Sequence, residues 1–175
     1  MEKPNVKISM DKELLVEINF AKAKENLKKY VDIAIKKGLV DDEYFPNINT
    51  NLTGKTAGIA DSRKNLIKLN KDLLSIESNT KEITENTVAH ELAHLIVGRL
   101  YPLAKPHGSE WKRVMKVLGE TPSVTHNMEL PILKFTHLYA CKCSEYQLSN
   151  IRHKKVQKGT KYRCTKCKSV LEEVK

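Results

Sequence analysis

The sequence predicts an α+β fold in two parts, a helical body with a small sheet over residues 1–133 and a cysteine-bearing tail over residues 134–175. Three observations lead there. Helical periodicity and strand-like segments occupy separate runs instead of alternating regularly. All four cysteines, Cys141, Cys143, Cys164 and Cys167, fall in the last quarter of the chain. The formal charge of +10 is also unevenly placed: from Lys134 onward eleven Lys/Arg face three Glu, a balance of +8, so the rest is close to neutral. A basic tail on a near-neutral body points to a polyanionic partner.

A chain of 175 residues holds one sizeable domain and a small appendage. With 40% hydrophobic and 30% charged residues it is a globular composition and not a disordered one. The opening MEKPNVKISMDKE has no apolar core of a secretory signal. No apolar run approaches the ~18 residues of a membrane span. The expected compartment is the cytoplasm, with no membrane partner.

Asp11 to about Gly38 reads as helix, with at most one break. Val16, Phe20, Ala23, Leu27, Tyr30 or Val31, and Ala34 recur at three- and four-residue steps with lysines and glutamates between them. Asp41 to Gly54, rich in Asn, Asp and Pro, reads as loop. Thr56–Ala60 and Leu66–Leu69 read as two strands joined through Asp61-Ser62-Arg63-Lys64-Asn65, a β-hairpin. A second helix is expected from Thr80 or Thr84 to Leu100, with Glu82 and Glu85 at its positive end and Pro102 beyond it. A third covers Ser109–Leu118 and closes at Gly119. From about Thr136 the tail reads as short strands and turns around the cysteines.

Within the second helix, His90-Glu91-Leu92-Ala93-His94 spells H-E-x-x-H. Residues i and i+4 lie one turn apart on one face, so both imidazoles can reach one ion. Glu91 is set off that face, where it can serve a water in the ion's open position as general base. Val88, Leu92, Leu95 and Ile96 form an apolar stripe beside the histidines, which predicts a buried helix. A catalytic zinc needs a third protein ligand. The metzincin spacing is excluded, because Val97 and Leu100 stand where its Gly and His belong. His107 is the leading candidate, since Pro102, Pro106 and Gly108 force the chain to reverse around it. Glu110 and His126 are the alternatives.

The stretch AHELAHLIVGRLYPLAKPHGSEWKRVM resembles the SprT family, bacterial relatives of the DNA-dependent protease Spartan. The matching positions are His90, Glu91 and His94, then His107, Gly108 and Trp111. Upstream Gly54–Ala60 and Ile67–Asn70 look like the family's hairpin, and downstream Thr125–Leu130 and the cysteine tail follow in the same order. The resemblance covers the chain from about Leu14. It implies a compact zincin-like metallopeptidase domain followed by a small zinc ribbon, His107 as third ligand, and action on DNA-associated or DNA-crosslinked proteins. Trp111 is expected to pack, and His126 to support the site.

The tail spells C-x-C, twenty residues, then C-x-x-C, one residue short of the usual first pair. Ligation of one structural zinc by all four cysteines is expected, with His153 in place of Cys141 or Cys143 as the alternative. Lys154, Lys155, Lys158, Lys161, Arg163, Lys166 and Lys168 surround this segment, with Tyr139, Tyr146 and Tyr162 interleaved. The cations suit phosphates and the tyrosines suit stacking on bases. The leading function is thus a zinc endopeptidase, with one catalytic and one structural zinc, recruited to DNA by its tail. The competing one is a nucleic-acid-binding zinc protein with a scaffolding role.

Overall fold

Asp11 opens the first helix by accepting from the Glu13 backbone N–H at 3.1 Å, and α1 then runs unbroken from Lys12 to Lys36. The computed structural model describes residues 11–130 and 136–174. Two compact units result, Met1–Pro131 and Ile132–Lys175. The expected boundary at 133/134 lies outside the described residues.

In the first unit, α1 buries Leu15, Val16, Asn19, Ala23, Leu27, Tyr30, Val31 and Ala34. Asn19 takes a core position where the periodicity favours Phe20, because its Nδ2 donates to the Leu74 carbonyl at 2.9 Å. A buried amide is tolerated when so paired. Phe20 stays half-buried, with the Lys24 ammonium 4.9 Å from its ring centre.

A three-stranded sheet has the order β1-β3-β2, from β1 (Asn47–Leu52), β2 (Gly58–Asp61) and β3 (Leu66–Asn70). The expected hairpin is present: β2 pairs antiparallel with β3, Ala60 opposite Ile67, and Asn65 turns the corner at φ 45. The segment read as loop is corrected in part, since Asn47–Leu52 pairs parallel with β3. Its asparagines are tolerated because β1 is an edge strand whose side chains are exposed or half-buried. Central β3 carries the buried Ile67 and Leu69.

Asn70 caps the short α2 (Lys71–Leu74), accepting from the Asp72 and Leu73 N–H groups and donating to the Gly54 and Thr56 carbonyls. One buried side chain thereby fixes the hairpin's entrance to the helix that follows. A 3₁₀ turn follows at Glu77–Asn79, and helical backbone begins at Thr80. Glu82–Asn86 is wound as π-helix before α3 (Thr87–Leu100). The widened turn sends the Thr87 N–H back to the Glu82 carbonyl, and the Thr84 carbonyl accepts from Asn26 at 2.9 Å. Such insertions occur preferentially next to functional sites.

Helix α3 packs Val88, Ala89, Leu92, Ala93, Leu95 and Ile96 into the core. Helix α4 (Ser109–Val117) adds Trp111, Val114 and Met115, and ends where Gly119 adopts φ 87. There the Glu120 N–H reaches the Met115 carbonyl, a closure that needs a left-handed residue. Glu120 in turn accepts from the Tyr30 hydroxyl at 2.6 Å, tying α4's end to α1.

The second unit is a sheet of order β5-β4-β6, from β4 (Thr136–Ala140), β5 (Glu145–Ser149) and β6 (Glu172–Glu173). A helix, α5 (Asn150–Gln157), adds to the expected strands and turns; Ser149 caps it by accepting from the Arg152 N–H. Tyr139, Leu148, Cys164 and Leu171 form its small core. Among the described residues no helix is long and apolar enough to cross a membrane.

Candidate active site and metal centres

On α3, residues 90, 91 and 94 turn toward the sheet edge and α4 while the apolar stripe faces the core. After α3 the chain passes Pro102 and Pro106 and reverses at His107, which adopts φ 57. A left-handed conformation is costly for a non-glycine residue and is held only where the surroundings impose it. Here it turns His107 back onto α3.

The Nε2 atoms of His90 and His94 are 3.2 Å apart, and that of His107 is 3.0 Å from each. Three such nitrogens cannot all hydrogen-bond one another, because each carries either a proton or a lone pair. A cation accepts all three lone pairs at once, and the ~3.4 Å separation of ligands on a tetrahedral zinc is close to what is present. Burial holds His90 and His94 down at about 4, in the neutral form that ligates. His90 also hydrogen-bonds the Ser123 backbone, the outer partner that orients a ligating imidazole. The three histidines can therefore hold a metal ion.

Trp111 is fully buried under this triangle, its ring 4.7 Å from His90, 4.8 Å from His107 and 5.6 Å from His94 between centroids. Its Nε1 donates to the His90 carbonyl at 3.3 Å. The tryptophan thus positions all three imidazoles by packing. Glu110 is half-buried at the start of α4 and is not part of the group. His126 is not part of it either.

Glu91 is only 7% exposed, and burial pushes its carboxyl up to about 7 while the Ala60 backbone N–H pulls the other way. A carboxyl poised near neutrality can both take and return a proton. Gly58 in β2 makes room for it: a Cβ there would lie 2.8 Å from Glu91 Cγ and 2.9 Å from Thr87 Cγ2. Beside His90 and Glu91 opens a cleft of about 170 Å³, lined also by Thr56, Glu82, Thr125 and His126. The Asn79 amide exchanges two hydrogen bonds of 2.8 Å with the Glu129 backbone, holding the segment that follows His126.

With this geometry in view, the SprT-like family model matches residues 24–131. The chain belongs to that family. Among relatives named Protein SprT, that of Proteus mirabilis is 41% identical over 143 residues, 79% of this chain and 84% of the relative. That of Pasteurella multocida is 40% identical over 127 residues, 71% and 76% of the two chains. That of Vibrio atlanticus is 40% identical over 129 residues, 72% and 76%. No solved structure matches. The SprT-like match contains all of His90, Glu91, His94 and His107, and ends before the cysteines.

In the second unit the four cysteine Sγ atoms lie within 4.8 Å of one another and can hold a metal ion. Cys141 and Cys143 are 3.5 Å apart and Cys143 and Cys164 3.7 Å. The short C-x-C pair can join the group because the strand ends at Ala140 and the chain bends after it, which brings both thiols together beside Cys164. The Tyr146 hydroxyl, 3.0 Å from Cys164, favours its thiolate and brings that thiol down to about 5. His153 is not in this set; it meets His137 and Glu173 instead.

Of the residues matched to nucleic acid, Lys154, Lys155, Lys158, Lys161 and Arg163 are exposed and Tyr162 is half-buried, with the Arg152 guanidinium 6.0 Å from its ring centre. Tyr139 is fully buried, so its ring cannot stack on a base. Sequence reading missed that role because strand alternation turns Tyr139 inward.

Proposed function

We propose that this SprT-like chain is a zinc-dependent endopeptidase acting on DNA-associated or DNA-crosslinked proteins in the cytoplasm. The observation that carries the reading is three imidazole Nε2 atoms within 3.2 Å of one another, with the buried Glu91 beside them at the wall of an open cleft. The first unit is read as zincin-like and the second as a zinc ribbon closed by Cys141, Cys143, Cys164 and Cys167.

His90, His94 and His107 would hold the catalytic zinc, which supplies Lewis acidity toward a peptide carbonyl and acidifies water. Glu91 takes the proton of the attacking water, and later passes it to the leaving amine nitrogen. Its raised affinity for a proton, set by burial, suits both transfers. Trp111 keeps the imidazoles in register, and Gly58 leaves the carboxylate its space. Exposed Lys154, Lys155, Lys158, Lys161 and Arg163, with Tyr162, would meet nucleic acid. A scaffolding role is disfavoured by Glu91, whose burial costs stability and does nothing for a passive fold.

Zinc-loaded chain is to be assayed on a protein substrate free in solution and on one crosslinked to DNA. Cleavage of both, faster for the crosslinked one, is expected. Equal rates would remove DNA from the proposal, and no cleavage of either would overturn it.

A further inference from the structure

Strand alternation puts His137 and Tyr139 of β4 on one face, and the ladder sets Glu173 of β6 opposite Tyr139 on that same face. Helix α5 lies over it with Asn150, His153 and Gln157, three and four residues apart on one helical side. None of these residues belongs to the cysteine cluster.

The contacts among them are specific. Glu173 Oε1 is 3.6 Å from His137 Nδ1 and 3.5 Å from His153 Nδ1. Those distances are long for hydrogen bonds. They are close to the ~3.4 Å between two ligand atoms on one tetrahedral ion. All three donor atoms fall within 4.8 Å of one another. Each outer partner also decides which atom of its residue is left free. Asn150 Oδ1, 2.8 Å from His137 Nε2, can only accept, so Nε2 carries the proton and Nδ1 keeps its lone pair. Gln157 Nε2 donates to Glu173 Oε2 at 3.1 Å, which leaves Oε1 facing the two rings. Ligating histidines and carboxylates are held by this kind of second partner.

We propose that His137, His153 and Glu173 form a third metal site, taking a divalent transition ion of borderline softness such as Ni²⁺ or Zn²⁺. The two imidazoles stack at 3.4 Å between centroids and 6° between planes. Capture therefore fans them apart about their Cβ–Cγ bonds, a broad torsion that yields at low cost. The Tyr139 hydroxyl, 3.1 Å from His153 Nδ1, gives up that contact as the ion takes the lone pair. The ion fastens β4, α5 and the two-residue β6 to one another. It does so independently of any peptidase activity.

The test uses the full chain, untagged and loaded with two zinc ions, titrated with NiCl₂ at pH 7.5 and followed by native mass spectrometry and calorimetry. One Ni²⁺ is expected to add without displacing zinc, and its Kd to rise at least tenfold in Glu173→Gln and in His153→Gln. Glu172→Gln, at the neighbouring exposed position, should bind it unchanged. Histidine ring signals from His137 and His153 should broaden at the same equivalence. Glu173→Gln alters an exposed strand residue, so retention of its two zinc ions certifies the fold in that variant. A wild-type chain that adds no Ni²⁺, or Glu173→Gln and His153→Gln variants that add it with unchanged affinity, would overturn the proposal.

Discussion

Replacing Glu91 with Gln removes the proposed base and also a buried ionisable group, and the second effect can be measured without any substrate. In the metal-free chain the folded state holds the Glu91 proton until about pH 7, whereas an unfolded chain releases it near 4.5. Between those values the folded state binds more protons, so this group's contribution to stability falls as pH rises. At pH 4 the carboxyl is neutral in the folded state and mostly neutral in the unfolded one, so it costs almost nothing through this route. At pH 8 it is charged in both, and burial costs about 3 kcal/mol relative to pH 4. Gln does not titrate. The stability of E91Q minus that of wild type should therefore grow by about 3 kcal/mol from pH 4 to pH 8. His90 and His94, both held at about 4, push the other way in each chain and cancel in the difference. Urea unfolding after chelation supplies the assay, read by the fluorescence of Trp111, the chain's single tryptophan and a core residue of the first unit. A cation restores the charged form, so the gap should shrink on zinc loading. Parallel stability curves from pH 4 to pH 8 would refute the claim that Glu91 is a desolvated carboxyl.

Gly58→Ala places a Cβ 2.8 Å from Glu91 Cγ, and the displaced base should lower kcat roughly 100-fold while zinc content stays at wild-type level. His107→Ala should weaken zinc at the histidine site by orders of magnitude in a chelator competition, with the cysteine-bound ion unaffected; an unchanged affinity would move the third ligand elsewhere. Changing Lys154, Lys155 and Lys158 together to Glu should reduce the slope of log Kobs against log salt for DNA by about 2 to 3, and leave cleavage of a DNA-free peptide intact.

The helix bearing His90, Glu91 and His94 was legible because its apolar stripe and its H-E-x-x-H spacing share one period. The hairpin was legible from turn chemistry at 61–65, and α4 from Gly119. Asn47–Leu52 was not, because an edge strand exchanges apolar alternation for asparagines that a composition rule assigns to loops. Helix α5 hid for a related reason: it buries none of its residues, and its one local signal is the Ser149 cap. The inward turn of His107 depends on a positive φ that prolines and Gly108 suggest without fixing. The grouping of His137, His153 and Glu173 joins three elements and leaves no spacing to read. Gly58 is likewise visible only once Glu91 is seen pressing on it.

The central claim is tested most directly by measuring zinc content and proteolysis on the same samples. Zinc-loaded wild type should cleave a protein substrate, lose cleavage on chelation and regain it with one equivalent of zinc at the histidine site. E91Q should carry the same zinc and cleave at background rate. Cleavage by E91Q at the wild-type rate, or by a chain stripped of its histidine-bound zinc, would contradict the account.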